Sequence, residues 1–251
     1  MTFQLPTQEE KAEFVHEQFE RIARGYDLSN DVISMGMHRS WKIRAVSEII
    51  KGVGEGNYLD VCCGTGDLSL WIARLAEPGS SVVGLDFSQN MLDIADARSL
   101  RKTKKVPTNT DLSFIRGDAQ DLPFEDDSFD AAIISFGLRN LTDLQKGLDE
   151  MARVVKPGGR VANLDLGHCQ VPLFAPVFKA YFGKVVPVVG GILQNDKKAY
   201  TYLPESLSTY PAPDKITAMF KEAGLEDVRH IPLALGTVAL HVGIKRSQRS
   251  N

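Results

Sequence analysis

The chain is poor in the features that mark several large classes of protein. Among 251 residues there are three cysteines and five histidines. Cys62 and Cys63 are adjacent and Cys169 is distant. That gives neither a disulfide framework nor a zinc spacing, so reduced thiols in a cytoplasmic protein are expected. His16, His38, His168, His230 and His241 show no metal-ligand spacing, and no metal is expected. There is no long lysine and arginine run, and the net charge is −3, which leaves no electrostatic reason to expect nucleic acid. The most apolar long stretch, Val171 to Leu193, contains Lys179, Lys184 and three prolines, too broken for an ordinary spanning helix. The first residues carry charges where a signal peptide needs an apolar run. Repeats and low-complexity linkers are also missing.

What is present is an ordinary globular composition, 43% hydrophobic and 24% charged, enough for one large domain over 1–251. Its first part, 1–50, reads as a helical segment. Thr7 and Glu10 form a capping-box pattern, and Ala12, Val15, Phe19 and Ile22 recur at helical steps up to Gly25. An irregular aromatic stretch from Tyr26 then precedes a helix over Trp41–Ile50. From Tyr58 short β-rich runs alternate with helical ones. Strands are predicted at Tyr58–Val61, Val82–Leu85, Leu112–Ile115, Ala131–Ser135 and Arg160–Leu164. Helices are predicted near Leu68–Leu75, Met91–Arg98 and Leu144–Val154, the last stopped by the turn Lys156-Pro-Gly-Gly159. The alternation predicts an α/β fold with a doubly wound, mostly parallel sheet. After an insertion at 167–210, a helix near Asp214–Ala223 and a hairpin turning at Gly236 complete the chain, adding an antiparallel strand at the sheet edge.

The run DVCCGTGDLS, Asp60 to Ser69, places a glycine-rich loop after the first strand, where open α/β sheets bind ligands. Gly64 and Gly66 allow close backbone approach, and Thr65 offers a hydroxyl. Ser69 stands where a dinucleotide fingerprint has its third glycine. Asp67, in the first turn of the next helix, repels a pyrophosphate and suits an ammonium or sulfonium. Asp86 ends the second strand, placed for both ribose hydroxyls. Asp118 follows the third strand, placed to accept from an adenine amine with the Ala119 amide donating to the ring. Ser135 ends the fourth. This set fits S-adenosylmethionine better than NAD. In the alternative, Asp67 and Asp86 only cap helices.

The runs DVCCGTGDLS, GLDFSQNML, LPFEDDSFD, ISFGLRNLTD, EMARVVKPGGR and AYTYLPES resemble those of the ubiquinone/menaquinone biosynthesis C-methyltransferases. The resemblance extends from about Phe14 to Lys245, and FGLRNLTD and YLPES are its more specific parts. It implies a class I S-adenosylmethionine-dependent fold with a seven-stranded sheet, and cofactor contacts at Thr65, Asp86, Asp118, Ala119 and Ser135. Asp118 stands where many relatives carry Asn. The pair Cys62-Cys63 resembles the menaquinone-only branch, so the implied reaction is C-methylation of demethylmenaquinol. Methylation of a benzoquinol for ubiquinone, an NAD-dependent oxidoreductase and a non-catalytic S-adenosylmethionine-binding regulator are the alternatives.

For that chemistry Arg139 is the expected phenolate-stabilising cation and Asn140 positions the ring; otherwise Arg139 pairs with Asp143 on the surface. His168, after the fifth strand, is the candidate proton acceptor, and Tyr200, Tyr202 and Glu205 are candidate ring contacts. The insertion 167–210 and Phe14 and Phe19 are expected to cap the sheet edge and receive the polyprenyl tail. Lys179, Lys184, Lys197 and Lys198 would then face anionic headgroups at the membrane's inner face; alternatively the apolar residues pack the core and the lysines are solvated. Whether the protein is a monomer or a homodimer is not legible in the sequence.

Overall fold

The computed structural model describes residues 8–103, 110–169, 171–194, 204 and 206–247. Seven strands form one sheet: β1 Asn57–Val61, β2 Ser81–Asp86, β3 Asp111–Arg116, β4 Phe129–Ser135, β5 Val155–Leu166, β6 Leu225–Leu233 and β7 Val238–Lys245. Their order is β3-β2-β1-β4-β5-β7-β6. β1 to β5 pair in parallel, and β7 runs antiparallel between β5 and β6. The expected sheet and terminal hairpin are both present. The hairpin turn, Ala234–Gly236, has positive φ at all three positions.

Strand alternation builds two cores. Leu59, Val61, Ala132 and Ile134 face one side, against Leu148 and Met151 of α6 (Leu144–Val154) and Phe220 of α9 (Pro213–Glu222). Tyr58, Ala131, Ile133 and Ala162 face the other, against Ala45, Val46 and Ile49 of α3 (His38–Ile50) and Ile72 of α4 (Asp67–Leu75). α5 (Gln89–Thr103) lies against β2 and β3. Because β2 and β3 extend to one side of β1 and β4 starts the other side, the chain reverses direction across the sheet between β1 and β4. That switch point opens a crevice at their carboxyl ends.

Two expectations need correction. The stretch from Tyr26 is a helix, α2 (Tyr26–Ile33), following α1 (Gln8–Ile22) and a short 3-10 turn. The Lys156-Pro-Gly-Gly159 turn does not lie outside the sheet: β5 begins at Val155 and carries the turn as a bulge, with Gly158 at φ +82°. Thr7, half of the capping box, lies outside the described residues. The insertion forms α7 (Ala175–Ala180), a π turn at Tyr181–Val185 and α8 (Val186–Gln194). Pro187 has no amide to donate back into the preceding turn, and the helix widens just before it. Ile22 and Ala23 pack with Met91, Phe182 and Val186 in a third core that joins the N-terminal segment to the insertion.

Candidate active site

The loop after β1 is held by left-handed backbone at Cys62 (φ +55°), Gly64 (φ +55°) and Gly66 (φ +73°). A Cβ on Gly66 would lie 2.8 Å from the Phe114 ring and 2.9 Å from the Ala95 methyl, so that position admits only glycine. Asp60 is buried beneath the loop, its Oδ2 accepting the Ser69 hydroxyl at 2.5 Å. Burial pushes its carboxyl up to about 7, and Oδ1 has no protein partner. Asp86 is also buried, with Oδ2 accepting the Gly64 amide at 2.8 Å and Oδ1 the Ser88 amide at 2.9 Å. Burial raises it to about 6, against the opposing pull of those amides. Ser135 ends β4 with a buried hydroxyl that has no protein partner. Asp118 is exposed, accepting the Gln120 amide at 2.9 Å, and Ala119 beside it is buried.

Asp67 does not stand alone as a counter-charge. Lys42 reaches it at 3.1 Å and Arg98 at 3.0 Å. Arg98 also pairs with Asp27 at 2.7 Å and donates to the Thr65 carbonyl and hydroxyl. Thr65 in turn donates its hydroxyl to Asp27 at 2.7 Å. The network ties the glycine loop to α2, α3 and α5. The N-terminal helices add further closure: Ser88 donates its hydroxyl to Glu20 at 2.7 Å, and Phe19 packs edge-on against Phe87.

Beyond β4 the chain turns sharply. Phe136 is left-handed (φ +57°), and a Cβ on Gly137 would lie 2.6 Å from that of Cys62. Arg139 and Asn140 follow in a 3-10 turn. Arg139 is buried and pairs with Asp165, at the end of β5, at 2.5 Å, rather than with Asp143, which caps α6 by accepting the Lys146 amide. It also donates to the Phe136 carbonyl at 2.7 Å, and Asn140 donates to the same carbonyl at 3.3 Å. Lys11 donates to the Arg139 and Leu141 carbonyls. Burial, and then the Arg139 charge, lower its pKa.

Arg139 and Asn140 line a cavity of about 530 Å³, within the range of about 300–1,000 Å³ common for small-molecule sites. Its other walls come from α1, α2, α3, α7, the π turn and the Ala234–Leu235 turn. Phe19, Tyr26, Trp41, Phe136, Phe178 and Tyr181 make it strongly aromatic. The Tyr26 ring comes within 4.0 Å of where a Cβ on Gly64 would be, so the cavity and the glycine loop adjoin. His168 does not line it: the ring Nε2 lies 3.0 Å from the Tyr210 carbonyl. Its predicted access to the cavity is corrected, because the chain after β5 turns it toward the segment before α9. Tyr200, Tyr202, Glu205, Lys197 and Lys198 lie outside the described residues. Sequence reasoning missed Asp165, Arg98, Lys42 and His38. Asp165 alone left a signal, a carboxylate among the apolar residues of VANLDL.

The buried, unpartnered oxygens of Asp60 and Ser135 fit an adenosyl ligand beside the glycine loop. Fold and site together define an S-adenosylmethionine-dependent methyltransferase. The fold matches that of a SAM-dependent methyltransferase from Thermotoga maritima, with TM-score 0.63 at 17% identity, over 92% of this chain and 99% of the other. The family model for the ubiE/COQ5 methyltransferase family matches residues 6–245, and the chain belongs to that family. A demethylmenaquinone methyltransferase of Lysinibacillus sphaericus is 41% identical over 94% of this chain and 97% of its own length. One of Halalkalibacterium halodurans is 41% identical over 95% of each.

The raised carboxyls set a pH dependence. Unfolded aspartate ionises near pH 3.9; Asp86 ionises near 6 and Asp60 near 7 in the fold. Their stabilising contribution is therefore full below the unfolded value and is lost as pH rises through the folded values. Ribose hydroxyls donating to Asp86 would favour its ionised form, so cofactor binding has the opposite slope. Calorimetric affinity for S-adenosylmethionine should be about tenfold weaker at pH 5 than on its plateau above pH 7. In Asp86→Asn the profile should lose the Asp86 contribution and flatten. An unchanged slope in that variant would remove Asp86 from the ribose contact.

Proposed function

We propose that the protein methylates a ring carbon of demethylmenaquinol, giving menaquinol and S-adenosylhomocysteine. The observation that carries the reading is the aromatic cavity beside the glycine loop, with Arg139 and Asn140 on its wall. The full-length likeness to demethylmenaquinone methyltransferases supports the naphthoquinol as acceptor. Asp86 would hold the ribose, Asp118 and the Ala119 amide the adenine, and Ser135 and the Gly64–Gly66 backbone the remainder. S-adenosylmethionine supplies an electrophilic methyl, whose C–S electron pair returns to sulfur on transfer.

The residues must make the acceptor carbon nucleophilic and hold it in line. A phenolic hydroxyl ionises near pH 10, about three units from neutral, a deficit of roughly 4 kcal/mol. Arg139 lowers it by stabilising the phenolate; a guanidinium is too basic to take the proton. Asn140 fixes the ring.

The cavity opens past Met35, Phe174, Val177 and Leu235, which are exposed by 71%, 36%, 60% and 59%. Leu173 beside them is 91% exposed, and Lys179 and Lys184 are exposed on the same insertion. This rim suits a polyprenyl tail passing from the cavity into a membrane's inner face, each methylene contributing about 0.8 kcal/mol when buried. No helix among the described residues is long and apolar enough to cross a membrane. The test compares kcat/KM for reduced demethylmenaquinone with that for a demethylated benzoquinol. A preference for the naphthoquinol supports the reading, and transfer to the benzoquinol alone overturns it. Flotation with anionic vesicles should carry the protein upward, less so for Leu173→Asp; no association would refute the membrane contact.

A further inference from the structure

Arg139 alone does not account for removal of the phenolic proton, because Asp165 neutralises much of its field. The cavity holds a second group suited to that step. His38 opens α3, lines the cavity and is 8% exposed. Its Nε2 lies 2.7 Å from Asp31 Oδ1 on α2. The other Asp31 oxygen accepts Arg39 at 2.6 Å. The His38 hydrogen bond, with Arg39 beside it, holds the Asp31 carboxyl below the usual range. An ionised Asp31 accepts only, so Nε2 carries the hydrogen and the neutral ring presents its lone pair at Nδ1. That Nδ1 is buried and has no protein partner.

Other groups around the cavity are spoken for or unsuited. Lys42, one turn along α3, is paired with Asp67, and Arg139 with Asp165. Tyr181 donates its hydroxyl to the Ile33 carbonyl. Among the described residues lining the cavity there is no carboxylate and no second imidazole.

We propose that His38 Nδ1 is the base that takes the quinol hydroxyl proton, with Asp31 as its positioning residue. The proposal rests on the quinol reading of the cavity. The O–H bond breaks, its pair staying on oxygen, and the proton joins Nδ1. The ring carbon then bonds to the transferred methyl as the C–S bond breaks toward sulfur. The methylated carbon loses its own proton to solvent, its C–H pair restores the aromatic ring, and the phenolate oxygen recovers a proton from His38. One proton is released per turnover, matching the charge lost by the sulfonium.

The test is His38→Gln, which keeps an amide donor for Asp31 and removes the ring lone pair. A folded variant should bind S-adenosylmethionine normally and lose about 10²-fold or more in kcat, as expected for a missing general base. The acidic limb of its pH–rate profile should vanish, and rate should recover as pH climbs toward phenol ionisation. Wild-type kcat and pH profile in this variant would overturn the proposal. Should the variant fail to fold, carbethoxylation of the wild-type protein decides. Activity should fall in step with His38 modification mapped by peptide mass, with protection by quinol; activity surviving complete His38 modification would overturn it. Absence of transfer by unmodified wild type would instead refute the quinol reading.

Discussion

Replacing Arg139 by glutamine is expected to cut turnover by about 10- to 100-fold without changing affinity for S-adenosylmethionine. A nearby cation lowers a phenol's pKa by about 1–3 units, each worth tenfold in phenolate. The 2.5 Å pairing of Arg139 with Asp165 puts the effect in the lower part of that range. The same substitution strands a carboxylate that is 1% exposed, and breaking one side of a buried pair costs about 3–5 kcal/mol. Lost activity in the single variant could therefore reflect lost fold. Arg139→Gln with Asp165→Asn separates the two, because a neutral amide pair leaves no buried charge. The thermal midpoint should recover in the double variant while turnover stays low. Recovery of turnover along with stability would make Arg139 a structural residue only.

Gly66→Ala is expected to be the more damaging of the two glycine-loop substitutions. Its left-handed backbone costs an L residue about 1–2 kcal/mol, and overpacking a filled site adds about 1–3 kcal/mol. Both apply here, because the added methyl meets Phe114 and Ala95 within 3 Å. Gly64→Ala carries only the backbone cost, since its nearest neighbour would be the Tyr26 ring at 4.0 Å. The apo thermal midpoint should therefore fall further for Gly66→Ala than for Gly64→Ala, and calorimetry should show weakened cofactor binding in both. A Gly66→Ala protein as stable as wild type would contradict the packing described for the loop.

The sheet and the glycine loop were legible because their signals are local. Alternating β-branched runs, glycines after a strand and an aspartate ending the next strand each act within a few residues of themselves. α2 was not legible. Its run YDLSNDVI holds no strong apolar stripe and includes Asn30 and Asp31, weak helix formers; packing against α8 and the cap core supports it instead. The partners of charged residues were equally hidden. Arg139 to Asp165, Arg98 to Asp27 and His38 to Asp31 span gaps set by topology or by a helix–helix turn, which no periodicity reports. His168 is the sequence's candidate because it follows the fifth strand at the expected sheet edge. Position along a strand does not fix where the chain turns next, and that histidine meets the Tyr210 carbonyl.

The central claim is that a quinol carbon in the aromatic cavity receives the methyl group. The most direct measurement is to incubate the purified protein with methyl-labelled S-adenosylmethionine and reduced demethylmenaquinone, then locate the label in the recovered quinol by NMR. The account predicts label on a naphthoquinol ring carbon, with S-adenosylhomocysteine formed in equal amount. Label on oxygen, or cofactor binding without any labelled quinol, would contradict it.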